Sequence, residues 1–130
     1  MNLSQLKRTY LTISGFSVLI ALLLSRFYRP YVYKNQINDF GFADVIGSIF
    51  SVIAFCSLVW GIKNYSSREK NIHIILATII YGFLWELLSI LNLLGTFDWK
   101  DIFAAIVSGL LTYVIKQQLD NRVIKDSEEK

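Results

Sequence analysis

At 130 residues the chain has the length of one domain, yet 54% of it is apolar and its mean hydropathy is +0.46, more than a soluble domain of this size ordinarily carries. That composition argues against a soluble bundle and for a membrane solvent. The net charge of +3 is too small to indicate nucleic acid, and no ladder of alternating basic and aromatic residues supplies a nucleic-acid surface.

A bilayer core about 30 Å thick takes roughly 17 to 25 apolar residues per helical crossing. The first stretch to answer that need runs from about Thr9 to Ser25 (TYLTISGFSVLIALLLS), free of internal charge. Lys7 and Arg8 give it the basic start of a signal peptide, but Leu23 to Tyr28 (LLSRFY) has no small-x-small cleavage site, so it is expected to stay as a permanent helix. An outer loop is expected around Phe27 to Asn38, with Tyr28, Tyr31 and Tyr33 as an aromatic belt. The second span, about Val45 to Ile62, carries Cys56, the only cysteine. It forms no intrachain disulfide and reads as a small packing residue.

A polar link, Lys63 to Asn71 (KNYSSREKN), leads to the third span, about Ile72 to Leu94, which contains Glu86. His73 at its start has no histidine or cysteine nearby, so no metal site is indicated. A tight outer turn around Gly95 to Lys100 precedes the fourth span, Ile102 to about Ile115. That span is short and needs a snorkelling Lys116 or a locally thinned bilayer. Residues 116–130 (KQQLDNRVIKDSEEK) form a polar tail that continues the helix into water. Tyr10 and Trp60 are expected at the inner interface.

The expectation is therefore one all-α integral membrane domain over 1–130, a polytopic four-transmembrane-helix bundle of two antiparallel hairpins, because short loops make sequence neighbours antiparallel. With the N-terminus inside, the inner segments hold Lys7, Arg8, Lys63, Arg68, Lys70, Lys116, Arg122, Lys125 and Lys130. Arg26, Arg29, Lys34 and Lys100 fall outside. By the positive-inside rule both termini are cytoplasmic.

Phe40-x-Phe42-x-Asp44-Val45-Ile46-Gly47-Ser48-Ile49 aligns with Phe97-x-Trp99-x-Asp101-Ile102-Phe103-Ala104-Ala105-Ile106, which suggests that the hairpins are parallel repeats. Asp44 and Asp101 are expected to be helix N-caps meeting the positive end of the macrodipole. Phe42 and Trp99 are expected as interface anchors. Small residues recur at helical spacing: Ser14, Ser17, Ala21 and Ser25; Gly47, Ser51 and Ala54; Thr78, Gly82, Trp85, Ser89 and Asn92; Ala104 or Ala105, Ser108 and Thr112. Such stripes mark faces turned toward other helices and the walls of any interior cavity.

Glu86 lies about eight residues from the outer end of its span, roughly 12 Å below the surface at 1.5 Å per residue. A carboxylate exposed to lipid there is costly, so it is expected to face the bundle, either protonated or paired with Arg26 or Arg29, Arg26 being nearer the membrane. With Asp44, Asp98 and Asp101 at the same mouth, and Trp85, Ser89 and Trp99 beside them, these residues form a candidate ligand pocket facing the outer leaflet.

Gly82-Phe83-Leu84-Trp85-Glu86-Leu87-Leu88-Ser89, followed by Phe97-Asp98-Trp99-Lys100-Asp101-Ile102-Phe103-Ala104, resembles the VanZ-like family of small bacterial membrane proteins. That family shows a Gly-x-x-x-Glu-x-x-Gln segment, an Asp-bearing loop, and a helix beginning Asp-x-x-Ala-Asn. Ser89 stands where the family has glutamine, Ala105 where it has asparagine, and Ser48 where a histidine follows the first aspartate. The resemblance implies a multi-pass protein of the bacterial inner membrane, related to one associated with teicoplanin resistance.

The functional expectation is a non-enzymatic envelope protein whose partners are membrane lipids, with an amphiphile or lipid headgroup in the pocket and no cofactor. The rival readings are a small dimeric proton-coupled transporter using Glu86 and an assembly subunit for a larger membrane complex. No glycine-rich phosphate loop, Ser/His/Asp set or CxxC pair is present, so the sequence supplies no recognised catalytic constellation. Asp98 and Asp101 alone are too few to hold a divalent ion.

Overall fold

The computed structural model describes residues 2–63, 67–90 and 98–128, except the side chains of 85–90 and 123–128. Helix α1 (Leu3–Leu23) opens on a capping box: the Asn2 side chain accepts from the Gln5 N–H at 2.9 Å, and the Gln5 side chain accepts from the Asn2 N–H at 2.9 Å. The chain does not leave the helix at Ser25. It passes through a wide π-helical turn, Leu24–Tyr28, where the Arg29 N–H reaches back to the Leu24 carbonyl, and continues as α2 (Arg29–Lys34). Pro30 is the reason for the wide turn. Its ring lacks an N–H and crowds the carbonyl one turn back, and a π-bulge absorbs that misfit without breaking the helix. The expected loop from Phe27 is thus helical as far as Lys34, and Tyr28, Tyr31 and Tyr33 stand on a helix.

The connection to α3 (Phe42–Ile62) is a tight turn in which Gly41 takes a φ of +84°, a conformation glycine adopts without strain. Asp39 organises it, its carboxylate accepting from the Gly41 N–H at 3.1 Å and the Ala43 N–H at 2.8 Å. Desolvation acts to raise the Asp39 carboxyl, but these backbone donors and the Tyr28 hydroxyl outweigh it and hold the group below the ordinary carboxylate range. The expected N-cap role of Asp44 is therefore corrected. Gly41 occupies the cap and Asp44 is the third residue of the helix. Asp101 is corrected in the same way. Helix α5 (Trp99–Glu128) begins after Asp98, whose carboxylate accepts from the Lys100 N–H at 2.9 Å. Both helices start earlier than hydropathy indicates, because an aromatic residue, Phe42 or Trp99, forms the first position. The two acids sit in matching registers near the positive ends of their helices.

Helix α4 (Arg68–Ile90) covers most of the expected third span, whose final part, 91–94, lies outside the described residues. The expected turn from Gly95 also falls largely outside them, as does part of the link at 64–66. Helix α5 is longer than its apolar run, and its stretch Trp99–Arg122 covers about 36 Å at 1.5 Å per residue. Lys116 therefore has no need to snorkel.

Helix α3 is central, packed along α1 on one side and α5 on the other, with α4 lying mainly against α5. Tyr10 of α1 meets Trp60 of α3, and the Ser14 hydroxyl donates to the Ala54 carbonyl at 2.8 Å, so these two helices run antiparallel. The Ser108 hydroxyl joins α5 to the Ile49 carbonyl of α3 at 2.6 Å. Polar side chains such as Ser14, Ser17, Ser57, Ser108 and Thr112 are buried, while Phe16, Leu22, Phe103 and Leu110 are 60–70% exposed. This inverts a soluble protein and matches a lipid solvent, in which small polar residues join helices. Leu3–Lys34, Phe42–Ile62 and Trp99–Arg122 are long and apolar enough to cross a membrane, and α4 has 23 residues. The chain is an all-α polytopic membrane protein.

Candidate functional site

At the end of the bundle where α1 gives way to α2 and where α3 and α5 begin, the helices leave a cavity of about 1050 Å³. Its apolar wall includes Val52 and Phe55 of α3, Ala77 of α4, and Ile102 and Ala105 of α5. Its polar lining comprises Ser25, Arg29, Asp44, Ser48, Asp98 and Asp101, together with Ser51, Thr78 and Tyr81. Among the described residues α1 and α4 do not pack on one another. Between them the face of α3 that carries Gly47, Ser51 and Phe55 is exposed, and the cavity opens sideways there.

The polar groups are joined across helices. The Arg29 Nε donates to the Tyr33 hydroxyl at 3.0 Å, its guanidinium stands 5.5 Å from the Tyr33 ring centre, and Tyr33 donates in turn to the Asp44 carboxylate. One helical turn beyond Asp44, the Ser48 hydroxyl donates to Asp101 Oδ1 at 2.6 Å, linking α3 to α5. Arg29 lies within electrostatic reach of both Asp44 and Asp101.

The predicted site residues divide. Asp44, Asp98 and Asp101 line one cavity. Arg26 is exposed and does not line it; Arg29 does. Trp99 is 71% exposed and lines a separate shallow groove with Phe40, Phe42 and Lys100. Glu86 lies in the α4 backbone four residues past the cavity-lining Gly82; its side chain, with those of Trp85 and Ser89, lies outside the described residues. Sequence reasoning missed the place of Tyr33, treated as a loop aromatic. The four-residue spacing of Arg29 and Tyr33 was the available signal, but it has meaning only once the helix is known to pass Pro30. It also missed the part played by Ser48, noted within the repeat and as a departure from a family histidine, although it stands one turn from Asp44.

A second polar cluster sits at the opposite end, about 24 Å along α3 from Asp44 to Trp60 at 1.5 Å per residue. The Lys116 ammonium, only 1% exposed, is held by both oxygens of Asp120 at 2.8 and 2.6 Å. It stands 5.1 Å from the Tyr10 ring centre and 5.4 Å from that of Trp60, and the Tyr10 hydroxyl donates to Asp120 at 3.1 Å. The expected interfacial places of Tyr10 and Trp60 are corrected: both are fully buried, because they enclose this cation.

The two clusters differ in chemistry. The far one is closed and internally paired. The cavity is open, rich in acceptors and biased toward negative charge, and so is suited to binding. Among the described residues no three histidine, cysteine or carboxylate side chains gather closely enough to hold a metal ion. Compared with protein families, curated proteins and solved structures, the chain matches none.

Proposed function

We propose that this chain is a VanZ-like, non-enzymatic protein of the bacterial inner membrane, crossing it four times as two antiparallel hairpins with both termini cytoplasmic. In this reading the cavity faces the outer leaflet and binds an amphiphile or a lipid headgroup. The observation that supports it is the cavity of about 1050 Å³, in which Arg29, Asp44, Asp98 and Asp101 lie above an apolar wall. A polar mouth over an apolar wall suits a molecule with a head and a tail. Asp44, Gly82 and Asp101, which carry part of the VanZ-like resemblance, line the cavity, and Ser48, one turn beyond Asp44, bonds Asp101. Glu86, one turn beyond Gly82, is included in the site under this reading. The parallel packing of α3 and α5, each with its acid at the third position, favours binding over a transporter built from inverted repeats.

Gly47 provides the test. It lines the cavity, and a Cβ there meets nothing within 4 Å, so a side chain at this position starts into open space and Gly47→Trp is expected to occupy the cavity. The expected result is an unchanged thermal midpoint in detergent with at least tenfold less lipid retained in native mass spectrometry. A stable Gly47→Trp protein that keeps as much lipid as the parent sinks the reading.

A further inference from the structure

The chain over the mouth of the cavity is bounded by two bendable segments. On one side is the π-turn Leu24–Tyr28, which has no buried residue, and Pro30 just beyond it brings no N–H to the helix ladder. A widened turn beside a proline is where a helix bends most readily. On the other side is the turn before α3, in which Gln36 and Phe40 take φ values of +50° and +58° and Gly41 one of +84°. The side chains of Gln36 and Phe40 disfavour this region, so the turn is held by its surroundings and not by its own preference.

Between these segments α2 (Arg29–Lys34) rests on few attachments. Val32 is its one buried residue. Among the described residues its side chains reach another helix by one hydrogen bond, from the Tyr33 hydroxyl to the Asp44 carboxylate, while the Arg29–Tyr33 bond lies within α2 and moves with it. The Tyr28 hydroxyl, at the end of the π-turn, makes a second tie, to Asp39 Oδ2 at 3.3 Å. The body of α1, by contrast, is fixed to α3 through Ser14, Tyr10 and the close approach of Leu11 to Gly61. Ser25 and Arg29 line the cavity, so a swing of α2 about the π-turn carries Arg29 out of it and opens the mouth to water. We propose that α2 is a hinged lid over the polar mouth, bending at Leu24–Tyr28 and latched shut by the Tyr33–Asp44 and Tyr28–Asp39 hydrogen bonds. This rests on the reading of the cavity as a binding site and adds the device that controls its polar entrance; a few residues at the end of an element suffice for such a hinge.

The test uses the full-length protein reconstituted in liposomes, with two readouts that need no ligand. Ser51→Cys, on the cavity wall, is treated with the membrane-impermeant cation methanethiosulfonate ethyltrimethylammonium, and the rate constant is read in place of the labelled fraction, so that mixed orientation has no effect. The parent, whose Cys56 is buried, supplies the blank. Spin labels on Tyr31→Cys with Leu110→Cys, and on Phe16→Cys with Leu110→Cys, all exposed positions, report the distances of α2 and of α1 from α5. Adding Tyr33→Phe is expected to raise the Ser51→Cys rate at least tenfold and to broaden the Tyr31–Leu110 distances, with the Phe16–Leu110 distances unchanged. Should that variant fail to fold, Tyr28→Phe carries the same expectation. An unchanged rate overturns the lid, and so does equal broadening of both pairs, which makes Tyr33 a support of the whole bundle. Neither readout involves lipid, so this failure is distinct from a Gly47→Trp protein that keeps its lipid.

Discussion

Lys116 shows how a cation is accommodated inside an apolar bundle. Its ammonium has two carboxylate oxygens of Asp120 on one side and the faces of Tyr10 and Trp60 on the other, so desolvation is met by charge pairing and by ring quadrupoles. Removing only the cation leaves Asp120, 27% exposed, bonded to Tyr10 and otherwise dependent on water. Lys116→Met is therefore expected to lower stability by about 1–3 kcal/mol, the usual cost of a stranded polar partner. Lys116→Met combined with Asp120→Asn is expected to recover part of that loss, since no unpaired charge remains and the amide oxygen still accepts from the buried Tyr10 hydroxyl. Unfolding in mixed micelles measures both, and a double variant no more stable than Lys116→Met contradicts this account. Little of the cluster was legible beforehand. Lys116 ends an apolar run, which reads as an interface position, and nothing local in the sequence indicates that rings from α1 and α3 enclose it. The cavity acids were easier, because Asp44 and Asp101 repeat within a matching pattern. Their register was misjudged by one helical turn, since Phe42 and Trp99 were assigned to the interface and not to the helix.

The four long helices were visible as apolar runs, and their ends were not. Pro30 marks a helix stop in most contexts, and here a π-turn carries the chain past it to Lys34. That extension places Arg29 and Tyr33 over the mouth of the cavity. The small-residue stripes were more dependable, because close approach of backbones depends on side-chain size alone. Ser14, Ala54, Ser108 and Thr112 are buried in contacts, while Gly47, Ser51 and Gly82 line the cavity. Among the described glycines the closest approach is at one outside those stripes. A Cβ on Gly61 falls 2.6 Å from Leu11 Cδ2 and 3.2 Å from the Leu11 backbone nitrogen, so α1 must move away from α3 to admit it. Gly61→Ala is expected to cost about 1–3 kcal/mol, as overpacking does. On the same pair of helices, a Cβ at Gly15 meets nothing within 4 Å, and Gly15→Ala is expected to gain roughly 0.5–1 kcal/mol from backbone entropy. Opposite signs in micelle unfolding support this packing; equal effects contradict it.

At the scale of the whole molecule, the burial of Lys116 and the turn of Arg29 into the cavity alter the charge balance that orients the chain. The remaining cations still separate: Lys7, Arg8, Lys63, Arg68, Lys70 and Arg122 surround the Tyr10–Trp60 end, and Arg26, Lys34 and Lys100 the cavity end. The positive-inside rule counts charges close to the ends of crossings, so the Tyr10–Trp60 end is expected in the cytoplasm and the cavity at the outer leaflet. Cys56 is fully buried, which leaves a quiet background for thiol labelling. Asn38 lies in the turn before α3 and Asn121 near the end of α5, both exposed. In intact cells an impermeant maleimide is expected to label Asn38→Cys and to reach Asn121→Cys only after permeabilisation. The reverse pattern turns the cavity to the inner leaflet. Labelling of both from one side means that an even number of crossings separates them, which contradicts the parallel packing of α3 and α5. Since each of these helices is long enough to cross and they run the same way, the chain between them has to return across the bilayer, and this pair of positions tests that return.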